Sequence, residues 1–556
     1  MGTMSRFSLS WSKRIKLDQI LKLLPFLILL VYLLLSALSF LTAEKRELIN
    51  AFDDDAYLYF KIARNFSETG HMTFDGKSIT NGFHPLWMMV LIPFYLALHD
   101  PIAVLRAIGI FSIILIAIMG FLSLRYLFRY SILTYFLASA LLITSIISFG
   151  VTGMEVTLLL PLIIIVLVWV MHAKPWDAST ISPIMLIAIG LNLSLVQLAR
   201  LDAVFLTITI LLFVAIMSAP RDRLKRVFML GLFPFITGSI YLLVNYAVFQ
   251  HFLPTSGAVK SLASNTLWFN HKFLSQLTTP NNAVDGNFWI FYLCLLFLSF
   301  GYLSLTTYKK FKHWKTPLSA EDYLPVIVSV FFIVYSAYQV FRTSWVLWRW
   351  YAYPIIPLSV FLVPEILSRI ERHLQRYKNT RASIQVLSAL ILPLLTIQLF
   401  VLGIRFGYWI KPHGTSFQYE NYLIAETLNH EPIDTSVFAV GDRAGSFAYF
   451  YHGNVLQLEG LVGDYKFLQA LKSNTVMDYM TKFGVEYVMS YVAPSDGYSQ
   501  WTLSTPLPWL SSGPYADIIL CRQTEFKRIE TQYSIYTIWK WPSCEIDTAI
   551  TPVGSN

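Results

Sequence analysis

LLPFLILLVYLLLSALSFL, residues 23–41, is an unbroken apolar run preceded by Arg6, Lys13, Arg14, Lys16 and Lys22. As a helix it is long enough to cross about 30 Å of hydrocarbon. The basic flank sets its start in the cytoplasm, so the span runs outward. A cleaved signal peptide is the competing reading, but the run exceeds the usual apolar region of about 7–15 residues and lacks a small-residue A-x-A site.

Similar blocks recur at 102–124, 131–149, 155–172, 182–198, 203–218, 228–249, 289–306, 322–341, 350–366 and 383–404, giving about eleven spans. The basic connectors are Arg125 and Arg129, Lys174, Arg221 to Arg226, Lys309 to Lys315, and Arg369 to Arg381. All of them fall on the cytoplasmic side if Leu86–Leu98, only about 13 residues long, does not cross by itself. The chain thus reads as an α-helical polytopic membrane protein.

Composition agrees, since 55% of the 556 residues are hydrophobic and 13% charged, with a mean hydropathy of +0.55. That leaves too little polar surface to cover a soluble globule of this size. The net charge of +9 does not indicate a nucleic-acid partner, because the Lys and Arg side chains sit in short connectors at span ends. The partner that this pattern requires is a lipid bilayer. Residues 1–404 form the transmembrane module with a first outer loop at 42–85, and 405–556 read as an extracytoplasmic α/β domain. In that domain Ser436–Val440 and Val485–Val492 have strand character, and Tyr422–Asn429 and Tyr465–Leu471 helical character. Cys521 and Cys544 either pair there or stay as free thiols.

The first outer loop opens with Asp53-Asp54-Asp55-Ala56-Tyr57. Adjacent carboxylates beside a membrane repel one another, so a raised proton affinity or a nearby cation is expected. The run also reads as the acidic N-cap of a surface helix, on which Asp54, Tyr57 and Lys61 share a face. The loop closes on Gly82-Phe83-His84-Pro85-Leu86-Trp87, and Gly153-Met154-Glu155, Arg200-Leu201-Asp202, Leu253 to Lys260 and Trp348-Arg349-Trp350-Tyr351 follow on the same side. Singly, each reads equally well as an interfacial anchor or a helix pair. Together they place carboxylates for hydroxyl protons beside cations for a phosphate, which suggests transfer on a phosphorylated lipid.

At Asp54-Asp55-Ala56-Tyr57, with Lys61 and Ala63-Arg64-Asn65, the chain resembles the GT-C superfamily of polytopic glycosyltransferases that use polyprenyl-phosphate-linked sugars. It is most similar to the terminal arabinofuranosyltransferases and to mannosyltransferase-like membrane glycosyltransferases. Pro85-Leu86-Trp87, Gly153-Met154-Glu155, Ala199-Arg200-Leu201-Asp202, Leu253-Pro254-Thr255 running to Lys260, and Val440 to Gly445 with Leu458 to Asp464 match the family's motifs in order. His84 stands where arabinofuranosyltransferases have Asn, and Leu201 replaces a Pro; both bear on which sugar is carried.

The resemblance implies an inverting glycosyltransferase in the cell inner membrane. It would move a sugar from a polyprenyl-phosphate donor to a glycan, lipid or protein acceptor of the cell envelope at the outer face. Asp54 is then the expected base, with Asp55 orienting it or hydrogen-bonding the acceptor. Lys260, Arg200 and Arg349 are expected at the donor phosphate, and Tyr57, Lys61, His84, Glu155 and Asp202 around the sugar and acceptor. A divalent cation on Asp54 and another carboxylate fits such chemistry, although no sequence feature requires it. The rival is a transporter or flippase of lipid-linked sugars, which calls for a charged path at the membrane midplane and commonly for related halves; the sequence shows no internal repeat.

Overall fold

The computed structural model describes residues 19–177, 182–262, 270, 283–312, 321–375, 417–492, 494, 497–505, 516–532 and 534–544. Among them eight helices are long and apolar enough to cross a membrane, running from Gln19–Thr42 to Arg349–Leu374. Two shorter apolar helices, Pro183–Ala199 and Val204–Met217, contain 17 and 14 residues. They meet at the buried Arg200, at two of the expected spans. The expected span at 383–404 lies outside the described residues.

These helices are apolar on all sides, as a lipid solvent demands. Leu34 and Leu38 on the first helix and Phe235 and Leu243 on a later one stay exposed. Helix ends find internal partners, since Arg106 donates to the carbonyls of Phe40, Leu41 and Ala43 where the first span stops. The segment expected not to cross by itself is a helix, Pro85–Ala97, of 13 residues. At 1.5 Å per residue it is about 20 Å long, short of the hydrocarbon thickness.

Between the first span and that short helix, the chain forms helices Lys45–Asn50 and Asp54–Thr69, the latter ending at Gly70 with φ +75°. Helix 54–69 packs tightly onto Gly153, where a Cβ would come within 2.8 Å of Phe52 and 2.9 Å of both Ala56 and Phe60. Gly153 also has φ +73°, and its carbonyl accepts from Trp87 Nε1 at 3.0 Å. The Gly of Gly153-Met154-Glu155 thus lets the loop helix sit directly on the bundle.

The C-terminal domain is built on strands β1 (Phe438–Val440), β2 (Val455–Gln457), β3 (Tyr487–Ser490), β4 (Gln500–Thr505), β5 (Ala516–Cys521), β6 (Glu525–Glu530) and β7 (Ile535–Lys540). One sheet has the order β2-β1-β3-β7-β6, and β4 pairs with β5. The first three strands are parallel, with Phe438 opposite Val455 and Tyr487, and β7 closes antiparallel onto β3. Both expected strands are present at their centres, and the expected helices appear as Phe417–Asn429 and Tyr465–Ser473. Cys521 and Cys544 form a disulfide with Cα atoms 5.6 Å apart.

The two parts are joined through helix Ala444–Phe450, whose Tyr449 and Phe450 pack against the Tyr57 ring at 5.4 and 6.0 Å. Gly153→Ala forces a methyl group into Phe52, Ala56 and Phe60 at a positive φ. It should destabilise the protein by about 1–3 kcal/mol, measured as a lower melting temperature in detergent; an unchanged melting temperature would show that the helix does not rest on Gly153.

Candidate active site

Helix 54–69 splits the acidic run between two faces. Asp55, Leu58, Tyr59 and Ile62 line a cavity of about 50 Å³, together with His84, Glu155, Arg200, Lys260, Tyr351 and, from the C-terminal domain, Leu461 and Val462. Asp54, Tyr57 and Lys61 lie on the neighbouring face, as helical spacing requires, and none of them lines that cavity.

Asp54 is committed to the C-terminal domain. Its carboxylate accepts from the backbone N–H groups of Gly445 (3.0 Å) and Ser446 (2.9 Å) and from the Ser446 hydroxyl (2.5 Å). These are free donors at the start of helix 444–450, which the dipole makes favourable for an anion. Gly445 is needed there because a Cβ would fall 2.2 Å from the Asp54 carbonyl. Burial pushes the Asp54 carboxyl up to about 6, against the pull of the Ser446 and Gly445 hydrogen bonds. Tyr57 is likewise structural, donating to the Ile49 carbonyl at 2.7 Å. Lys61 is buried, and burial, with Arg64 nearby, pulls its amine down to about 8.

Asp55 accepts no hydrogen bond from any described residue. Burial lifts its carboxyl to about 7; Lys260 pulls it down, and Asp54, Asp53 and Asp442 push it up. A half-ionised carboxyl at neutral pH that faces open space and a cation is what a general base needs.

The cations differ in how fully they are engaged. Arg200 is buried, forks onto Asp202 from Nε at 2.8 Å and Nη2 at 3.0 Å, and donates through Nη1 to the buried Glu155. Its guanidinium stacks over Tyr351 at 4.7 Å. Tyr59 adds a hydrogen bond to Glu155 at 3.2 Å. Asp202 thereby holds Arg200 rather than lining the cavity. Arg349 pairs with Asp53 at 2.8 Å and also stays off the cavity wall, whereas its neighbours Trp350 and Tyr351 are on it.

Lys260 has the lightest engagement, a 2.8 Å hydrogen bond to the Tyr351 hydroxyl. Burial lowers its proton affinity, but Tyr351 and Asp55 outweigh that and hold it above the ordinary lysine value. It closes the short helix Thr255–Lys260. Asn81 fixes the other end of that helix, accepting from Thr255 N–H at 3.0 Å and donating to Asn245 at 3.3 Å. Burial, with Arg200 and Lys260 close by, pushes His84 down to about 3 despite Asp202, so its imidazole is neutral. Leu201 N–H reaches its Nδ1 at 3.5 Å, which leaves Nε2 toward Glu155 at 3.7 Å.

Three contributors were not selected from the sequence. Tyr59 is four residues after Asp55, so the helical period could have found it. Tyr351 lies within a quoted motif whose Arg drew attention instead. Glu459 is buried and lies within the quoted Leu458 to Asp464 match, where it was not singled out. Among the described residues no three His, Cys, Asp or Glu side chains gather closely enough to hold a metal ion.

No protein-family model matches the sequence, and no curated protein does. Among solved structures, ArnT from Cupriavidus metallidurans bound to undecaprenyl phosphate matches with a TM-score of 0.51 at 12% identity, covering 92% of this chain and 97% of that one. An Archaeoglobus fulgidus oligosaccharyltransferase tethered with an acceptor peptide aligns over 90% of this chain and 75% of its own, at a TM-score of 0.47 and 12% identity, too loosely to argue from. The likeness to ArnT is one of fold, over nearly the whole of both chains.

Asp54→Ala removes the three hydrogen bonds that this side chain makes to the C-terminal domain. A loss of roughly 3 kcal/mol is expected, seen as a lower melting temperature and faster proteolysis of the C-terminal domain; unchanged proteolysis would show that Asp54 does not hold the domain in place.

Proposed function

We propose that this protein is an inverting glycosyltransferase that takes a sugar from a polyprenyl-phosphate donor and places it on an acceptor hydroxyl at the outer face of the cytoplasmic membrane. The observation that carries the reading is the placement of Asp55, a carboxylate with no hydrogen bond from any described residue, beside a lightly engaged ammonium, Lys260, in one cavity between the helix bundle and the C-terminal domain. The shared fold with ArnT, crystallised with undecaprenyl phosphate, supports a lipid-phosphate donor. The disulfide in the C-terminal domain supports an extracytoplasmic location.

In this reading the base role moves from Asp54, both of whose oxygens serve helix 444–450, to Asp55. Asp55 takes the proton as the acceptor oxygen attacks the anomeric carbon. The bond from that carbon to the phosphate oxygen breaks, and its electron pair leaves with the lipid phosphate. Lys260 faces the charge that develops on the phosphate, where a preplaced donor in a water-poor site is most effective. Arg200 is already shared by Glu155 and Asp202, so it contributes mainly a fixed frame that presents Tyr351, Tyr59 and His84. A cavity against the C-terminal domain favours transfer over a transport path at the membrane midplane.

Asp55→Asn should lower transfer from a synthetic polyprenyl-phosphate sugar by about 10²–10⁴-fold with the melting temperature retained. Transfer at the wild-type rate in that variant would remove Asp55 as the base. Lys260→Met should lower kcat/KM for the lipid donor by roughly 10²-fold or more, read with acceptor saturating. Because Asp55 must be ionised to accept a proton, kcat/KM should rise with pH through an acid limb centred near 7. A profile flat from pH 5 to 8 would contradict the assignment.

A further inference from the structure

His84 ends the first outer loop. Pro85 begins the next helix, and the His84 carbonyl accepts from Met88 N–H at 3.1 Å. The half-buried side chain stands on the cavity wall with Glu155, Arg200 and Lys260. Its imidazole is neutral, so one ring nitrogen carries a hydrogen and the other a lone pair. The surroundings decide which. Leu201 N–H reaches Nδ1 at 3.5 Å, and Glu155 Oε1 lies 3.7 Å from Nε2. A hydrogen on Nδ1 would set two donors against each other on one side of the ring and two lone pairs against each other on the opposite side. A hydrogen on Nε2 removes both conflicts, so the backbone N–H of Leu201 fixes the tautomer.

The Nε2–H then faces Glu155 from beyond hydrogen-bond range. Both oxygens of Glu155 are already held, Oε1 by Arg200 Nη1 and Oε2 by the Tyr59 hydroxyl at 3.2 Å, but a carboxylate oxygen accepts more than one hydrogen. A gap of 3.7 Å between an N–H donor and a carboxylate suits a hydroxyl, which can accept from one and donate to the other. Charged substituents fit poorly. An ammonium has no lone pair for Nε2–H and meets Arg200, while a carboxylate or phosphate meets Glu155.

Tyr351 ties this pair to the donor side of the cavity. Its ring lies 4.7 Å from the Arg200 guanidinium, which holds Glu155, and 5.5 Å from Lys260 Nζ. A group bound by His84 and Glu155 is therefore close to the ammonium assigned to the phosphate. The cavity of about 50 Å³ has room for about three or four water-sized groups, enough for the hydroxyl-bearing edge of a sugar ring.

We propose that His84 is a specificity-determining residue whose Nε2–H, together with Glu155, binds one hydroxyl of the transferred sugar and restricts the donor to neutral sugars. Leu201 is its positioning residue, because its backbone N–H keeps the imidazole hydrogen on Nε2. This rests on the transferase reading and adds the class of sugar carried.

The test uses the full chain in nanodiscs and polyprenyl phosphonates in which a methylene replaces the glycosidic oxygen, so that they bind but cannot be transferred. The series carries neutral hexoses and pentoses, their monodeoxy forms, a uronic acid and an amino sugar. The best neutral analogue should bind at least tenfold more tightly than the acid and the amine, and one of its monodeoxy forms should lose tenfold or more. That deoxy penalty should vanish in His84→Ala and largely persist in His84→Gln, whose amide N–H stands in for Nε2–H. Leu201→Pro, which has no N–H at that position, should weaken binding in the wild-type background and add little in His84→Gln. Where Leu201→Pro does not fold, the deoxy series on the His84 variants decides. Tighter binding of a charged sugar, no deoxy penalty, or a penalty that persists in His84→Ala overturns the proposal, and an equal loss from Leu201→Pro in both backgrounds removes Leu201 from it. A deoxy penalty that depends on His84, without transfer by the wild-type protein from the matching oxygen-linked donor, would overturn the transferase reading and leave His84 in its role.

Discussion

One carboxylate, Asp54, is shared between two parts of the chain, and the geometry of the site depends on it. Its oxygens satisfy backbone donors at residues 445 and 446, while the helix it begins lies against Gly153 on the bundle. Helix 54–69 is therefore gripped from both sides. Its rotation is fixed, and so is the direction in which the next residue, Asp55, projects. A single carboxylate could not serve both as this clamp and as the side chain that faces the cavity. Two adjacent ones, about 100° apart around the helix, can.

The cations follow a similar division of labour. Charges buried beside a membrane must be paired, and Arg200 meets that demand with Glu155 and Asp202; the half-exposed Arg349 pairs with Asp53. Lys260 is held by the Tyr351 hydroxyl and shares the cavity with Asp55, a carboxyl that is only partly ionised near pH 7. Its charge is thus the one in the cavity least cancelled by the protein itself.

Much of this architecture was legible in the sequence. Span-length apolar blocks, the short Leu86–Leu98 segment and the mixed C-terminal region each follow from one-dimensional patterns that the bilayer imposes. The site motifs were legible as a set, because polar residues near a membrane are costly enough to stand out. Their roles were less so. Helical spacing puts Asp54, Tyr57 and Lys61 on one face, but nothing local says whether that face meets substrate or residues 445 and 446.

The clamp also has a consequence for how the protein is made. Asp54 and Gly445 are 391 residues apart, which at ordinary rates of synthesis is a delay of about 20–80 s. Throughout that interval the acidic helix lacks its partner, and a ribosome that stops early releases a bundle whose cavity is missing a wall. The last quarter of the chain therefore acts as a checkpoint, so that only finished molecules carry an assembled site.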